Sequence, residues 1–422
     1  MKVGFSKIDI TPKVPVTMGG YGDRKDKSKG ILDHIYARAL VFEDDNKNRV
    51  AIVSVDLINL TQLEVSYIKG KIYLLTNITK DRIIISTTHT HSAPLTKDSF
   101  LFGLANNDYI NSIMDAIPQT VLTALENMQR CKLGWYQGEF KEVGASRREL
   151  NQNVKTILTI LAAVDLDNNL LNVLFNYNCH PTVLSAKNLM ISADYPGYAI
   201  EKLKQKLGSS VNFTFTNGAC GDISTRFTRK GQDYDEVKRL GELLALEVME
   251  SLKKITYEEL QYISVKEKHF NLIPKEFIDD ETINLKIKEY EEKLSELNKN
   301  GGSKGDFRIV HTALQGLKVQ KLMTENISEL EFDGFLNAIR IGNGVILSQP
   351  AELFSSLGYE IMANSPYTPT MIIGYANGYI GYIPNIESYH EGGYESYSCQ
   401  FKEGEGEHLR DLAISLIQEV EQ

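Results

Sequence analysis

Apolar and polar residues alternate along several short stretches of the chain, a period that is typical of half-buried strands. The stretch KVGFSKIDIT follows this pattern at the N-terminus. The stretches YARALVFE and RVAIVSVDLI also follow it and are joined by the polar turn DDNKN, which predicts a hairpin. A second hairpin is predicted for KTILTILAAVDL and LLNVLFNYNCHP, which are joined by DNN.

Stretches with a helical period lie between these strands. They comprise residues 61–75, NDYINSIMDAIPQTVLTALENM, YPGYAIEKLKQKL, DYDEVKRLGELLALEVMESLKKI and EHLRDLAISLIQEVEQ. Strands that alternate with helices predict an α/β fold of mixed β-sheets flanked by helices, with a closely packed α+β arrangement as the alternative. We expect a single large catalytic domain over residues 1–422.

One segment differs from the rest in composition. Residues 274–330 are rich in charge, helical in period and interrupted by NKNGGSKGD. This pattern predicts a helical hairpin inserted between core strands at about 274–330. The hairpin is interpreted either as a solvent-exposed protrusion or as a lid over a site.

The composition and net charge of the chain limit the kinds of molecule that it is expected to bind. The net charge is −9, from 46 basic and 55 acidic residues, and no basic stripe is visible. Nucleic acid and anionic membrane surfaces are therefore not expected as partners. The N-terminus lacks the apolar region of a signal peptide, and no segment reaches the roughly 20 apolar residues that cross a bilayer. These features predict a cytoplasmic protein, and the oligomeric state is left open.

The cysteines do not form a metal-binding pattern. They are widely spaced and make no CxxC pair, so we expect buried thiols rather than a thiolate zinc site or a disulfide framework. The four are Cys131, Cys179, Cys220 and Cys399.

Histidines follow two of the predicted strands. His89 and His91 come after an apolar run in STTHTHSAP, and His180 ends a second strand in NYNCHPT. Side chains at positions i and i+2 of a strand share a face, so His89 and His91 are expected to point into one cavity. Two close imidazoles suit metal ligation or proton transfer, although a hydrogen-bonded pair is the plain alternative.

Other strand ends carry further candidates. The segment NGACGDIS, which includes Ser224, has two interpretations. Its backbone N–H groups could face an anion, or it could simply form a tight turn. The strand stretch GVILSQPAE ends in Glu352, which is interpreted as a metal ligand or as a charge at a helix N-terminus. Asp56 ends IVSVDL and is a weaker candidate for orienting a ligand histidine. A glycine-rich loop holds a dense set of tyrosines: Tyr375, Tyr379, Tyr382, Tyr389, Tyr394 and Tyr397.

Several common catalytic motifs do not occur in the sequence. There is no GxSxG, HExxH, P-loop or GxGxxG pattern. Ordinary serine hydrolases, zincins, ATPases and dinucleotide-binding enzymes are therefore not indicated.

Taken in chain order, the motifs resemble one family, the neutral/alkaline (non-lysosomal) ceramidases, which are zinc-dependent amidases that cleave the N-acyl bond of ceramide. The resemblance extends over nearly the whole chain, and STTHTHSAP is among its most specific parts. The other matching motifs are MGGYGDRKDKSKGILDHIYARALVF, VSVDL, NCHPT, SADYPGYA, GACGDIS, QPAELF and NGYIGYIP followed by GGYES.

The resemblance implies a set of site residues. It implies one zinc ion per chain, held by His89, His180, Glu352 and Tyr379. It also implies His91 as a partner of the ligands or a proton carrier, and Arg147, in GASRRE, as the group that binds the amide oxygen or the product carboxylate. Ser224 matches a serine implicated in catalysis, as nucleophile or as a structural residue. Tyr394 would be a donor beside the metal-bound water, with Tyr389 as the alternative.

The implied function is that of a zinc-dependent hydrolase that cleaves a linear N-acyl amide through a metal-activated water, whose pKa falls from roughly 15.7 to about 7. The implied substrate is a small or lipid-like N-acyl compound of sphingolipid type. Two alternatives stay open, a zinc hydrolase of a non-sphingolipid amide or ester and a non-catalytic, metal-stabilised binding protein. No C-terminal immunoglobulin-like domain is expected. The patch Phe100-Leu101-Phe102 is expected either to line an acyl pocket or to fill the core.

Overall fold

The computed structural model describes residues 1–99, 101–148, 153–259, 262–276, 278–326 and 332–420. Within these ranges the strands are β1 (Lys2–Asp9), β2 (Gly30–Ile31), β3 (Tyr36–Glu43), β4 (Arg49–Val55), β5 (Ile83–Thr87), β6 (Gln129–Arg130), β7 (Lys132–Glu139), β8 (Ala145–Ser146), β9 (Ile157–Val164), β10 (Leu170–Tyr177), β11 (Met190–Ile191), β12 (Asn212–Asn217), β13 (Ile223–Ser224), β14 (Ile263–Leu272), β15 (Phe332–Ile341), β16 (Gly344–Ser348), β17 (Glu352–Leu353), β18 (Thr370–Ile373) and β19 (Tyr382–Ile383). The α-helices are α1 (Gln62–Thr76), α2 (Asn107–Glu126), α3 (Asp194–Leu207), α4 (Tyr234–Leu252), α5 (Asp280–Asn300), α6 (Lys304–Asn326), α7 (Ser355–Ala363), α8 (Ile386–Glu391), α9 (Tyr394–Ser398) and α10 (Glu405–Gln418).

Three larger sheets form the framework. Their strand orders are β5-β4-β3-β1-β6, β12-β10-β9-β7 and β14-β15-β16-β18. Each sheet has antiparallel pairs and one parallel pair. In the order of the sheets, the parallel pairs are β4–β5, β10–β12 and β16–β18. The two predicted hairpins, β3–β4 and β9–β10, are confirmed. Mixed sheets with helices on their faces confirm the predicted α/β class.

The sheets pack against one another through a shared apolar cluster. Leu40 of β3, Leu174 of β10 and Ile346 of β16 all belong to it and are almost fully buried. Helices α1 and α2 pack on the first sheet, α3 and α4 on the second, and α7 and α10 on the third. Because the core is close-packed, truncation of one such leucine to alanine is expected to cost about 2–5 kcal/mol.

The free edge of strand β5 is covered by the segment that follows β18. Thr87 donates its N–H to the carbonyl of Tyr375 at 3.1 Å, and Asn377 donates to the carbonyl of Ile85 at 2.8 Å. The β-branched run of β5 is thereby buried on both sides, as its apolar sequence requires. This contact also fixes the tyrosine-rich loop beside the end of β5.

The charge-rich segment 274–330 contains helices α5 and α6, which pack against each other. In sequence, the two helices lie between strands β14 and β15. These two strands pair directly, from Ile263 opposite Ile341 to Leu272 opposite Phe332. The helices therefore project from one end of a continuous strand pair. Residues 277 and 327–330 of the segment lie outside the described ranges.

Among the residues that the structure describes, no helix combines the length and the apolar character that crossing a membrane requires.

Candidate metal centre and its cavity

The residues that follow the parallel strands of the three sheets meet at one place. His89 follows β5, His180 follows β10, Glu352 follows β16, and the tyrosine loop follows β18. Backbone hydrogen bonds hold these strand ends together: Gly374 donates to the carbonyl of Asn217 at 2.9 Å. Parallel neighbours have their carboxyl ends at the same sheet edge, so three such edges supply this site.

His89 is held by its backbone and by a stacked tyrosine. Its φ of +64° places it in the left-handed region, so it does not continue the strand. The strand spacing that was expected to align His89 with His91 is therefore not what brings their rings to 5.0 Å. Its Nδ1 lies 2.7 Å from the carbonyl of Ile58, and Tyr375 stacks on its ring at 4.1 Å. Because a carbonyl only accepts, Nδ1 carries the proton and Nε2 presents a lone pair.

His180 presents the same nitrogen in the same way. Its Nδ1 lies 2.9 Å from the carbonyl of Ile223, and its Nε2 lies 2.8 Å from Oε2 of Glu352. That carboxylate oxygen is also 3.5 Å from Nε2 of His89. Two imidazole lone pairs thus converge on a carboxylate oxygen, an arrangement of acceptors that a cation between them would stabilise.

The charge states of these groups suit a metal ion. Burial lowers the pKa of His89 to about 4, although the nearby Glu352 opposes this shift. Burial would raise the pKa of Glu352, but the charge of His89, the contact with His180 and the hydrogen bond from Tyr379 outweigh it and bring that pKa to about 2. At neutral pH the site therefore combines a neutral His89 with an ionised carboxylate, the protonation states that divalent metals require.

His91 completes a group of three imidazoles. The potential ligand atoms of His89, His91 and His180 all lie within 4.8 Å of one another, so this group could hold a metal ion. Both ring nitrogens of His91 are buried and have no hydrogen-bond partner among the described residues. Burial and the neighbouring His89 place the pKa of His91 well below its ordinary value. His91 is therefore a neutral imidazole with two unused nitrogens beside the cluster.

The segment MGGYGD supports the ring of His91. Tyr21 meets it edge-on at 4.8 Å, and Arg24 donates to the backbone carbonyl of His91 at 2.9 Å. Gly20 has a φ of +98°, and a Cβ there would lie 2.5 Å from Cγ of His91. Only glycine fits this approach, which accounts for the second glycine of the motif.

The expectation that Asp56 orients a ligand histidine is wrong. Its carboxylate accepts from Arg38 at 2.7 Å and from the backbone N–H of Tyr36 at 2.9 Å, not from a histidine. The backbone carbonyls of Ile58 and Ile223 orient the two ligand candidates instead. Every residue has a main-chain carbonyl, so neither contact could be predicted from residue types.

Two tyrosines border the carboxylate of Glu352. The hydroxyl of Tyr379 donates to Oε1 of Glu352 at 2.5 Å. Tyr382 is the register partner of Glu352 in the parallel pair β17–β19, and its ring stacks on His180 at 6.5 Å. Tyr382 was noted in the sequence only as one of the loop tyrosines and was given no role. Burial raises the pKa of both phenols well above the ordinary value, so both are neutral near pH 7.

Tyr394 lines the cavity, whereas Tyr389 packs against the core of the third sheet. The ring of Tyr394 meets Tyr382 at 5.8 Å, and burial raises its pKa to about 12. Of the two alternatives considered for the second tyrosine, the structure brings Tyr394 to the site.

Arg147 joins the cluster to the tyrosine loop. Its Nη1 lies 3.2 Å from Nε2 of His180, and its Nη2 donates to the hydroxyl of Tyr382 at 3.3 Å. Its Nε forms a buried ion pair with Glu395 at 2.7 Å. Burial alone would lower the pKa of Arg147, but Tyr382 and the carboxylates of Glu395 and Glu352 hold it well above its usual range. Glu395 was not predicted as a site residue, and its adjacency to Tyr394 was the available signal.

Ser224 lies on the wall of the cavity in the short pair β13–β8. Its Oγ accepts from the backbone N–H of Arg226 at 3.2 Å. In the same turn, Gly218 and Gly221 donate their N–H groups to the carbonyls of Tyr177 and Leu353. Of the two interpretations of this segment, these contacts favour the tight turn over an anion-binding loop.

A cavity of about 420 Å³ opens beside the cluster. His91, Arg147, Ser224, Tyr382 and Tyr394 line one part of it, and helix α6 supplies the opposite wall. Helix α6 is held there by Gln315, which donates to Asp23 at 2.6 Å. Helix α6 of the inserted hairpin is therefore a wall of the cavity, whereas helix α5 is largely exposed to solvent. Leu101 of the expected apolar patch also lines the cavity, while residue 100 lies outside the described ranges.

This geometry defines a candidate metal centre at the strand ends of a mixed α/β protein. The family profile described as "Neutral/alkaline non-lysosomal ceramidase, N-terminal" matches residues 1–234. The chain belongs to this family, so the resemblance noted in the sequence is confirmed.

Individual relatives agree with the family assignment. The neutral ceramidase of Drosophila melanogaster is 29% identical over 264 residues, which cover 53% of this chain and 36% of that protein. The neutral ceramidase of Pseudomonas aeruginosa is 25% identical over 272 residues, which cover 57% of this chain and 40% of that protein. The matched region thus spans less than half the length of either relative.

Solved structures share the fold. One, described as "Crystal Structure Analysis of neutral ceramidase from Pseudomonas aeruginosa", has a TM-score of 0.81 at 20% identity and covers 99% of this chain and 74% of that chain. Another, described as "Ceramidase complexed with C2", has a TM-score of 0.78 at 18% identity and covers 100% of this chain and 76% of that chain. At these identities the likeness establishes the fold.

Proposed function

We propose that this protein is a zinc-dependent hydrolase that cleaves the amide bond of a lipid-like N-acyl compound, with ceramide as the reference substrate. The single observation that carries the proposal is the convergence of the Nε2 atoms of His89 and His180 on Glu352 at the edge of a cavity. Membership of the ceramidase family supports an amide as the bond that is cleaved.

The donor set fits one zinc ion. Two imidazole nitrogens and one carboxylate are zinc's common ligands in catalytic sites. His89, His180 and Glu352 would hold the ion, and a phenol from Tyr379 or Tyr382 would complete the set. When bound, zinc supplies a Lewis acid and lowers the pKa of water to about 7.

The remaining residues bind the substrate and move protons. Arg147, held by Glu395, directs its guanidinium toward the cluster and binds the amide oxygen or the product carboxylate. His91, a neutral imidazole with unpaired nitrogens, takes a proton from the attacking water and passes it to the leaving amine. Tyr394 donates a hydrogen bond from the cavity wall. Ser224 has a positioning role, since its Oγ accepts from the backbone of Arg226.

Two other functions remain as alternatives, a zinc hydrolase of small amides or esters and a metal-stabilised binding protein. Measured zinc content, together with a screen of ceramide, fluorogenic N-acyl amides and matched esters, separates the three. Turnover of acyl amides that is lost on chelation and restored by zinc is the expected result. Turnover of esters alone favours the first alternative, and bound zinc without turnover of any substrate favours the second.

A further inference from the structure

The cavity is strongly basic, although the chain as a whole carries a net charge of −9. Six basic side chains line it, and the acidic residue on its wall is Asp23, whose carboxylate accepts from Gln315. Arg147 is neutralised by Glu395, and Lys318 pairs with Glu291 at 3.0 Å. The other basic residues are Lys25, Arg226, Arg229 and Arg308.

In the part of the chain that the structure describes, none of Arg226, Arg229 and Arg308 lies within ion-pair distance of an acidic side chain. Arg226 donates to the backbone carbonyl of Arg147 at 2.6 Å, and Arg229 donates to that of Thr182. A carbonyl satisfies an N–H group but does not neutralise the positive charge of the guanidinium.

These charges also face one another. Burial lowers the pKa of Arg226 to about 9; the positive charges of Arg147, Arg308 and Arg229 contribute to the shift, and the carboxylate of Glu395 opposes it. Burial and the charge of Arg308 likewise lower the pKa of Arg229, while Tyr21 and the buried Asp194 oppose that shift. Partly buried like charges destabilise the folded state unless an anion binds between them. The planar guanidinium matches carboxylate and phosphate groups in a bidentate manner.

We propose that the substrate carries an anionic group, a carboxylate or a phosphate, that binds between Arg226, Arg229 and Arg308 while its amide bond lies at the histidine cluster. This inference rests on the proposed function, because it names the substrate class of the same site. It distinguishes the preferred substrate from ceramide, which is uncharged.

Matched substrate pairs test the proposal with the zinc-loaded, full-length chain. N-lauroylglycine is compared with N-lauroylglycinamide, and N-lauroyl phosphoethanolamine with N-lauroyl ethanolamine, so that each pair differs in the anion. We expect kcat/KM to favour an anionic member by at least about tenfold, the effect of one or two charge-assisted hydrogen bonds. The pair with the larger ratio identifies the anion as carboxylate or phosphate.

Arg308→Gln is the diagnostic variant, because this residue lies on helix α6 and lines the cavity without an ion-pair partner in the described ranges. We expect the anionic preference to fall about tenfold, mainly through a higher KM. Lys318→Gln is the matched control on the same helix, where a partner already compensates the charge, and should keep the wild-type ratio.

Titration calorimetry with inorganic phosphate gives a readout that is independent of turnover. Weaker binding to Arg308→Gln than to the wild type supports the proposal. Equal affinity, or no binding to the wild type at millimolar phosphate, overturns it. Equal turnover of charged and neutral amides would also overturn it while leaving the amidase function intact, whereas bound phosphate with no amide turnover would contradict the amidase function alone.

Discussion

The Nε2 atom of His180 lies 2.8 Å from Oε2 of Glu352, although 172 residues separate the two in the chain. Both imidazoles near this carboxylate are oriented by main-chain carbonyls, those of Ile58 for His89 and Ile223 for His180. The ligating atoms are therefore set by the backbone of the strand ends. A side-chain substitution at either histidine should remove one ligand without disturbing its support.

His89→Ala and His180→Ala are each expected to abolish zinc binding and hydrolysis while leaving the fold largely intact. The reason is that a site with three or four protein ligands loses most of its affinity with one of them. Elemental analysis of purified protein and far-ultraviolet circular dichroism check the prediction. His34→Ala is the control, since His34 is an exposed histidine paired with Asp9. Zinc at unit stoichiometry in both variants would refute the ligand assignment.

His91→Ala is expected to reduce kcat by about 10²–10⁴-fold, the usual contribution of a general acid or base, while zinc content stays near that of the wild type. The two effects separate the possible roles of His91. If zinc content falls together with turnover, His91 is a third imidazole ligand rather than a proton carrier. Turnover at the wild-type level would exclude both roles.

Tyr379→Phe and Tyr382→Phe should have different effects. Loss of the Tyr379 hydroxyl removes a hydrogen bond to Glu352 and is expected to weaken zinc affinity by about 10–100-fold. Loss of the Tyr382 hydroxyl removes a contact of Arg147 and should lower kcat more than zinc affinity. Competition with a chromogenic chelator measures the affinity, and Tyr389→Phe serves as the control. The reverse pattern would assign the phenol ligand to Tyr382.

Glu395→Gln should destabilise the protein by about 3–5 kcal/mol, because it leaves the charge of Arg147 buried without its partner. The side chains of this pair are 8% and 4% exposed. Glu360→Gln is the matched control, since its pair with Arg410 is 45% and 23% exposed and should contribute less than about 1 kcal/mol. Urea unfolding of both variants gives the comparison, and equal losses would contradict the prediction.

Acid should destabilise the metal-free protein through both His89 and Glu352. The folded-state pKa of His89, about 4, lies below its ordinary value of 6.5, so the unfolded state binds more protons and stability falls as the pH drops through this window. The depressed pKa of Glu352, about 2, adds a further loss as the pH falls below 4.5. In His89→Gln, Tm should depend less on pH between 6.5 and 4. Parallel Tm profiles for wild type and variant would argue against a neutral His89.

The sequence predicted most of the framework and part of the site. Hairpins β3–β4 and β9–β10 were recognisable because alternation and turn residues are local signals. The histidines at 89 and 180 were recognisable because each follows an apolar run, whereas the choice of Glu352 as a ligand came from the family resemblance. Contacts made by main-chain carbonyls were not predictable, which is why Asp56 was given a role that it does not have.

Long-range ion pairs and the walls of the cavity also could not be predicted from the sequence. The pairing of Arg147 with Glu395 depends on how the tyrosine loop returns to the end of β5. The position of α6 depends on packing against α9, where a Cβ on Gly316 would lie 2.8 Å from Cα of Tyr394. No periodic pattern encodes such contacts.

Helix α6 belongs to an insertion that can change independently of the metal ligands. The insertion lies in sequence between two strands that pair directly. A different loop could therefore join β14 to β15 without changing their register or the three sheet edges that supply the ion's ligands. Of the three arginines proposed to bind the anion, only Arg308 lies in this segment. Exchange of the hairpin between homologues would then change how strongly the anion is bound, with the reaction itself retained.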